Sequence, residues 1–343
     1  MTNAHVLRCA TIGAVALVIA GCGSSGITSI SQQMVSANAS RSENPVAPAK
    51  RGKVKLFIDD YDDPVPAGIA AGPDGALWFS DPGNDTIGRM STHGAFSFFR
   101  AGAEVSTGIT AGPDGALWFT VAQEDAMIGR VTTGGQVTLF KDPGGSFPQG
   151  IAAGPDGALW FGEINGTIGR ITTAGTVTHF TVASSNSTIA DIVTGPDGAL
   201  WATRSQDGSH ASNEIIRLTT SGKLKSFTVG EEPQYICVGP DKALWFGEAN
   251  AIGRITTKGA YRAFPIHSRS SFPEGIAAGP DGALWFALDG AGSIVRLTTA
   301  GKMTSYGVSG SAPELAQITA GPDHSMWFTV SMFPPALGRI STR

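Results

Sequence analysis

One stretch of eight residues recurs along this chain and restricts its possible folds more than any other feature. The sequence Gly72-Pro73-Asp74-Gly75-Ala76-Leu77-Trp78-Phe79 returns, with small changes, in six later places. Each copy holds one of the seven tryptophans of the protein, which are Trp78, Trp118, Trp160, Trp201, Trp245, Trp285 and Trp327. Successive tryptophans are 40, 42, 41, 44, 40 and 42 residues apart. A period this regular indicates a repeat architecture.

The third copy shows what one repeat contains. Residues 150–153 and 158–161 are short apolar runs joined by a Pro-Asp-Gly turn, and the second run is apolar at consecutive positions, as in a strand covered on both faces. Residues 168–172 and 177–180 follow as two further strands around a glycine turn. Four short antiparallel strands with an aromatic signature describe a propeller blade. The sequence therefore predicts an all-β fold, a seven-bladed β-propeller of four-stranded antiparallel blades.

The two ends of the repeat region complement each other. The last repeat ends at residues 340–343, after its third strand, and residues 52–57 have the form of a fourth strand without a blade before it. We expect the N-terminal strand to complete the last blade, because an unpaired edge would favour association.

The first 51 residues have a different character from the repeats. Residues 1–21 have a weakly positive start and an apolar segment of signal-peptide length, and they end in Ile19-Ala20-Gly21 before Cys22, which resembles a bacterial lipobox. We expect lipidation at Cys22, a flexible tether over residues 22–51 and the propeller over 52–343. The chain would then be an exported bacterial lipoprotein, anchored by lipid on the periplasmic or cell-surface side. The alternative is an ordinary secretory signal with a chance cysteine.

Charge and cysteine content narrow the function classes. The net charge of −4 offers no basic surface for nucleic acid. Of the three cysteines, Cys237 alone remains after removal of Cys9 and acylation of Cys22, so no intramolecular disulfide is expected. We expect a monomer whose partner is a small molecule, a peptide or an envelope protein.

Residues present in every repeat are interpreted as structural. An active site uses one or two blades, so a sevenfold copy argues against catalysis. Turn chemistry and blade-to-blade hydrogen bonding account better for the repeated aspartates and arginines. These are Asp74, Asp114, Asp156, Asp197, Asp241, Asp281 and Asp323, with Arg89, Arg130, Arg170, Arg217, Arg254, Arg296 and Arg339.

Function is expected where the repeats differ, on the face that carries the loops between second and third strands and the links between blades. Polar residues that precede the first strand or follow the Trp-Phe pair gather in blades three to six. The candidate ligand-binding residues are Gln149, Glu163, Arg204, Gln234, Glu248 and Glu274. Among them Glu163 and Glu248 could hold a hard divalent cation such as Mg²⁺. The alternative is a solvated rim with Arg204 as counter-charge. An insertion at 205–213 and an apolar segment at 332–335 could also shape a pocket.

The repeat Gly-Ile-x-x-Gly-Pro-Asp-Gly-x-Leu-Trp-Phe, followed by Ile-Gly-Arg-Ile-Thr-x-x-Gly, resembles the virginiamycin B lyase (streptogramin B lyase) family over residues 52–343. The resemblance implies a seven-bladed propeller on which a magnesium ion and a histidine base open a cyclic depsipeptide by elimination. Where those lyases have a histidine in the sixth blade, this chain has Glu274. Their Glu-Pro-His-Gly-Ile in the last blade is Glu314-Leu315-Ala316-Gln317-Ile318 here, and a later glutamate is Val330.

Three functions stay open on the sequence alone. The first is a ligand- or partner-binding propeller that lacks the lyase histidines. The second is an active, metal-dependent carbon–oxygen lyase or hydrolase acting on streptogramin-like cyclic depsipeptides, with Glu274 and Glu314 as catalytic residues. A carboxylate at Glu274 could act as a base only if its pKa were raised. The third is a structural scaffold in an envelope complex.

Overall fold

The computed structural model describes residues 54–58, 64–123, 126–206, 213–266, 272–308, 313–331 and 335–342. Strand β1 is Val54–Phe57. Blades one to three contain β2 (Ile69–Ala71), β3 (Leu77–Asp81), β4 (Thr86–Met90), β5 (Phe96–Arg100), β6 (Val105–Ala111), β7 (Leu117–Val121), β8 (Met127–Val131), β9 (Val137–Lys141), β10 (Ile151–Ala153), β11 (Leu159–Gly162), β12 (Thr167–Ile171) and β13 (Val177–Thr181). Blades four to seven contain β14 (Ser187–Thr194), β15 (Leu200–Gln206), β16 (Glu214–Leu218), β17 (Leu224–Thr228), β18 (Gln234–Val238), β19 (Leu244–Glu248), β20 (Ala251–Ile255), β21 (Tyr261–Pro265), β22 (Pro273–Ala278), β23 (Leu284–Leu288), β24 (Ser293–Leu297), β25 (Met303–Gly307), β26 (Leu315–Ala320), β27 (Ser325–Val330) and β28 (Ala336–Ser341).

These strands form seven antiparallel sheets of four strands each, which are the blades of a β-propeller. In blades one to six the order is sequential, from an inner strand to an outer one. The predicted fold class is confirmed. No helix among the described residues is long and apolar enough to cross a membrane.

The N-terminal strand closes the ring, as the sequence predicted. Strand β1 pairs antiparallel with β28, with Val54 opposite Ile340 and Phe57 opposite Leu337, so the last sheet has the order β1-β28-β27-β26. The ring of Phe57 lies 5.2 Å from that of Trp327. The seventh blade therefore joins the first and last strands of the chain and leaves no unpaired outer edge on β28.

The core lies between blades. Every residue of β3 and β7 is buried, which explains the consecutive apolar residues of the second strands. The tryptophans are fully buried and each lies against an aromatic ring of the outer strand, with 5.4 Å between the ring centroids of Trp118 and Phe140. Trp160 of blade three packs in one cluster with Ile189 and Leu200 of blade four. Burial of each blade thus depends on its neighbour.

A size exchange between the second and third strands explains one irregular repeat. In blade one a Cβ atom on Gly88 would lie 2.0 Å from the ring of Phe79 on the opposing strand, so glycine makes room for the ring there. Blade four has alanine, Ala202, in place of the phenylalanine, and Ile216 stands opposite it in place of the glycine. Both residues are buried. The pair keeps its total volume, as close packing requires.

The repeated aspartates and arginines belong to one interaction within each blade. In blade one Asp74 Oδ1 accepts a hydrogen bond from Trp78 Nε1 at 3.0 Å, and Arg89 Nε donates to Oδ2 at 2.7 Å. The other six blades repeat this Asp–Trp–Arg triplet. The structural interpretation holds, with one correction. The arginine bonds the turn of its own blade and not the next blade, because the third strand pairs directly with the second.

Candidate functional site

The blades differ at the residue directly before the inner-strand isoleucine that pairs with the second-strand phenylalanine (with Ala202 in blade four), which we call the entry position. Blades one, two, three and six carry glycine there. A Cβ atom on Gly68 would lie 1.8 Å from the Thr107 carbonyl oxygen of the next blade, so neighbouring inner strands are in close contact at this level. Blades four, five and seven carry Asp191, Tyr235 and Gln317 instead. Three blades thus carry a side chain at the position where close contact between neighbouring inner strands favours glycine in the other four.

Asp191 connects the inner strands of blades four and five. Its Oδ1 accepts a hydrogen bond from the backbone N–H of Ile192 at 2.8 Å, and its Oδ2 accepts one from Ile236 at 2.9 Å. Burial raises the pKa of Asp191 to about 6, although these two N–H groups act in the opposite direction. The carboxylate is therefore fixed in orientation but held in surroundings that disfavour its charge.

Tyr235 has an unusual backbone conformation. Its φ angle is 42°, in the left-handed region, and the entry glycine of the next blade, Gly275, has a φ of 54°. A bulky side chain rarely adopts this region, and such strain is concentrated at functional sites. Tyr235 lies beside Glu274, and its hydroxyl acts to lower the pKa of that carboxyl. Burial, together with the Glu274 charge, raises the pKa of Tyr235 well above its usual value.

Glu274 lies on β22 and is partly buried. Burial is the main cause that raises its pKa to about 7, and the nearby charge of Asp289 acts in the same direction, while Tyr235 acts to lower it. A carboxyl group with this pKa is partly protonated near neutral pH. It can accept a proton or bind a donor there, which an ordinary solvated glutamate does less well.

Asp191, Tyr235 and Glu274 form what we call the inner-strand cluster, contributed by blades four, five and six. Two carboxyl groups and a phenol, each with a raised pKa, make a site that favours a positively charged or hydrogen-bond-donating group.

Of the six residues selected from the sequence as ligand-binding candidates, Glu274 belongs to this cluster and Gln234 lies beside it, exposed, at the start of β18. Gln149 donates through Nε2 to the Phe147 carbonyl at 2.9 Å. Arg204 pairs with Glu214 through Nη1 at 2.5 Å. Gln149 and Arg204 are thus engaged within their own blades.

Glu163 and Glu248 lie inside the protein and not on a solvated rim, being 0% and 5% exposed. Each carboxylate accepts a backbone N–H from the link that precedes its blade, Ser146 at 2.7 Å for Glu163 and Gly230 at 3.0 Å for Glu248. Tyr261 also donates to Glu248, at 2.7 Å. The two glutamates therefore secure inter-blade links in blades three and five.

Among the described residues, one group of acidic and histidine side chains is compact enough to hold a single ion. It consists of Asp142, Glu163 and His179, and it does not include Glu248. Burial is the main cause that raises the pKa of Asp142 to about 6; the nearby charge of Glu163 raises it further, and His179 lowers it. This group lies between blades two and three, apart from the inner-strand cluster.

The last-blade positions that match the lyase site do not fit a magnesium ion. Glu314 is exposed, with its Oε2 3.5 Å from Ser331 Oγ. Ala316 has no ligand atom, and Val330 is buried in an apolar cluster. In the last blade one carboxylate remains where the resemblance implied two glutamates and a histidine, so no catalytic step through magnesium is derived for this place.

Several expectations fall on residues that the structure does not describe. Cys22, the signal peptide over 1–21 and the tether over 22–51 lie there, as do most of the insertion at 205–213 and Met332, Phe333 and Pro334.

Sequence reasoning missed Asp191 and Tyr235 because it compared the residue one place earlier in each blade. The signal was present in the adjacent alignment column. At this position four blades have glycine, and the other three have Asp191, Tyr235 and Gln317. Asp191, which was not selected, and Glu274, which was, belong to the blades on either side of the tyrosine.

The fold and the triplets define a seven-bladed propeller of the streptogramin lyase type, and comparisons with known proteins specify the family. The virginiamycin B lyase family model matches residues 11–210 and 180–343. A structure of streptogramin B lyase is 31% identical, with a TM-score of 0.77, over 84% of this chain and 97% of that one. Virginiamycin B lyase from Staphylococcus aureus is 31% identical, with a TM-score of 0.78, over 85% and 99%. The chain belongs to the virginiamycin B lyase family.

A further solved structure is informative about the site. It is a catalytically inactive histidine-to-alanine form of the Staphylococcus aureus lyase with quinupristin, 32% identical, with a TM-score of 0.78, over 85% of this chain and 99% of that one. No curated protein sequence matched this chain.

Proposed function

We propose that this protein is a binding member of its family and that its inner-strand cluster holds a small molecule or peptide with a cationic or hydrogen-bond-donating group. The observation that carries the proposal is Tyr235, a bulky residue in a left-handed backbone conformation that lies beside Glu274 and lowers the pKa of that carboxyl. Strain of about 1–3 kcal/mol at such a residue persists only when its surroundings or its function require it.

The chemistry of the cluster defines the ligand class. Glu274 and Asp191 both have raised pKa values, because burial disfavours their charge. A cationic or donating ligand group between them would compensate that unfavourable charge. The Tyr235 ring offers an aromatic face for the ligand's apolar part.

The elimination known for the family is not proposed as the activity of this chain through the family's histidine. A related lyase is inactive when one histidine becomes alanine. At the matching last-blade position this chain has Ala316, with Val330 replacing a glutamate. We expect binding without conversion of a type B streptogramin.

Quinupristin is the first probe, because a relative has been seen with it. Isothermal titration with residues 52–343 should show one binding event that is independent of added Mg²⁺. Tyr235→Phe and Glu274→Gln should each weaken it by about 10-fold, as expected for a hydrogen bond of about 1.5 kcal/mol. Glu314→Gln, which removes an exposed carboxylate, is the matched control and should bind as the wild type does. Equal affinities for all four proteins, or no binding of quinupristin or of an amine-bearing peptide library, would reject the proposal.

A second candidate function, a lyase or hydrolase activity that opens the ring of a cyclic depsipeptide, rests on Glu274 alone. With its pKa raised to about 7, this group meets the requirement for a general base near neutral pH. Chromatography and mass spectrometry of quinupristin after incubation would detect a linear product. Product that rises with pH through about 7 and disappears in Glu274→Gln would establish this base chemistry. Product that persists in Glu274→Gln would exclude it.

The envelope location also remains a proposal. It rests on the lipobox-like Ile19-Ala20-Gly21-Cys22 and the polar segment after it. Metabolic labelling with a palmitate analogue should mark the full chain and not Cys22→Ala, which should move from the membrane to the soluble fraction. Labelling that survives Cys22→Ala would contradict it.

A further inference from the structure

A second cluster of ionisable groups lies between blades two and three. Asp142 directly follows β9, Glu163 directly follows β11, and His179 lies on β13. His179 Nε2 is 2.8 Å from Asp142 Oδ1 and 3.8 Å from Glu163 Oε2. The three residues, which we call the interface triad, have ligand atoms that all lie within 4.8 Å of one another.

The triad contains buried polar atoms without hydrogen bonds. The Asp142 side chain is 0% exposed, yet within the described part of the chain neither of its carboxylate oxygens has a hydrogen-bond partner, and neither does His179 Nε2. The short contact between Nε2 and Oδ1 lacks the alignment of a hydrogen bond. Buried polar atoms are nearly always paired, so an unpaired carboxylate calls for a specific explanation.

The surroundings hold the triad in place and keep space around its oxygens. Glu163 is oriented by Ser146 N–H at 2.7 Å, and the Thr167 hydroxyl donates to its other oxygen. A Cβ atom on Gly145 would lie 2.2 Å from Asp142 Oδ2 and 2.6 Å from Glu163 Oε1. Any other residue at 145 would fill the space that the two carboxylates face.

We propose that Asp142, Glu163 and His179 bind a divalent transition-metal ion, for which Zn²⁺ is the first probe. Bonds of about 2.0–2.2 Å in a tetrahedral site place neighbouring ligand atoms about 3.3–3.6 Å apart. The two separations of 2.8 and 3.8 Å lie on either side of that range. One imidazole with two carboxylates is a ligand set that suits Zn²⁺.

Such an ion joins elements that are remote in sequence. It would tie the end of the outer strand of blade two to the second and outer strands of blade three. The partly exposed side chain of His179, with 24% of its surface accessible, would provide the route of entry. Three protein ligands leave a fourth position for water.

Blade five provides the internal control. Glu248 is the counterpart of Glu163 and binds the link in the same way, through Gly230 N–H. At the places equivalent to Asp142 and His179, two residues after Phe227 and one before Phe264, stand Val229 and Ala263. The structural role of the glutamate is therefore common to both blades, whereas the possible metal ligands are specific to blade three.

The test is titration of tag-free residues 52–343, freed of metal by chelator, with ZnCl₂ by calorimetry and by thermal unfolding. We expect 1:1 binding and a rise in Tm. Asp142→Asn and His179→Gln should each lower the affinity at least 100-fold and remove the rise in Tm. Glu248→Gln and His93→Gln, the latter an exposed histidine in a turn, should retain both effects.

A spectroscopic measurement on the wild-type protein tests the site even where a variant does not fold. The wild-type protein loaded with Co²⁺ should show the intense visible absorption of a tetrahedral site, and one equivalent of Zn²⁺ should remove it. Absence of 1:1 binding at about millimolar Zn²⁺, or equal binding by wild type, Asp142→Asn and His179→Gln, would overturn the proposal and leave a simple buried histidine–carboxylate pair.

Discussion

Carboxylates occur in two contrasting settings in this propeller. In the Asp–Trp–Arg triplets burial alone would raise the pKa of Asp74, but the hydrogen bonds from Trp78 and Arg89 outweigh it and lower the pKa below its usual value. In the inner-strand cluster burial prevails, and the pKa of Glu274 rises to about 7. The triplet provides a cation for each carboxylate, whereas the cluster provides a phenol and a second acid. The comparison shows that the partner, and not the residue type, separates a carboxylate with a lowered pKa from one with a raised pKa.

The two settings also differ in how often they occur. The triplet is present in all seven blades and fixes the turn before each second strand. The cluster uses one residue from each of three neighbouring blades and exists only when the ring is assembled. Disrupting the ring should therefore affect both settings, and disrupting a triplet should affect stability alone.

The largest effect is expected from deletion of residues 52–58. The deletion removes β1, exposes the edge of β28 and uncovers Trp327, so we expect Tm to fall by about 10 °C or more and aggregation to increase. Calorimetry and light scattering would measure both. An unchanged melting curve would show that the ring does not need this strand.

A smaller loss of stability is expected when one triplet is broken. Asp156→Ala leaves the indole N–H of Trp160 and the Arg170 guanidinium without their acceptor and should cost about 2–3 kcal/mol of unfolding free energy in urea. The same substitution at Asp74 should cost a similar amount, because the geometry is repeated. Ligand affinity should not change. A large difference between the two losses would contradict the equivalence of the blades.

Glu274→Gln should change stability in a way that depends on pH. A raised folded-state pKa means that ionisation opposes folding, so the wild type loses stability as pH rises from about 4.5 to about 7. The variant lacks this loss and should gain about 1–3 kcal/mol relative to wild type between pH 5 and pH 8. Urea unfolding at both pH values measures the gain. Glu314→Gln removes an exposed carboxylate and should show no such gain in unfolding free energy. If the two variants gain equally, the pKa of Glu274 is not raised in the folded protein.

The smallest effect compares two substitutions at one position. In an ordinary strand alanine is more favourable than glycine, but at a φ of 42° the order should reverse. Tyr235→Gly should therefore be more stable than Tyr235→Ala by about 1 kcal/mol in urea unfolding. If Tyr235→Ala is the more stable of the two variants, the backbone at residue 235 is not strained.

The propeller fold was largely predictable from local patterns. The tryptophan spacing, the Pro-Asp-Gly turns and the runs such as Ala158-Leu159-Trp160-Phe161 predicted seven four-stranded blades. Even the closing strand was predicted, because each repeat is a complete pattern of turns and apolar residues that can be compared with its copies. The candidate site was predictable only in part. Glu274 was selected, and so were Glu163 and Glu248, as candidate ligand or metal binders with a solvated rim as the alternative. These two glutamates lie buried and are engaged by backbone N–H groups, which the sequence did not indicate.

The sequence alone thus determined the blade, its number of copies and the family to which the chain belongs, since these depend on residues near one another along the chain. Only the tertiary structure decided which charges meet. Asp191 and Tyr235 are 44 residues apart, and Asp142 and His179 are 37 apart, so no local pattern relates them. They become neighbours because ring closure places consecutive blades side by side. Their pKa values and possible ligands then follow from burial and partners that exist only in the folded ring.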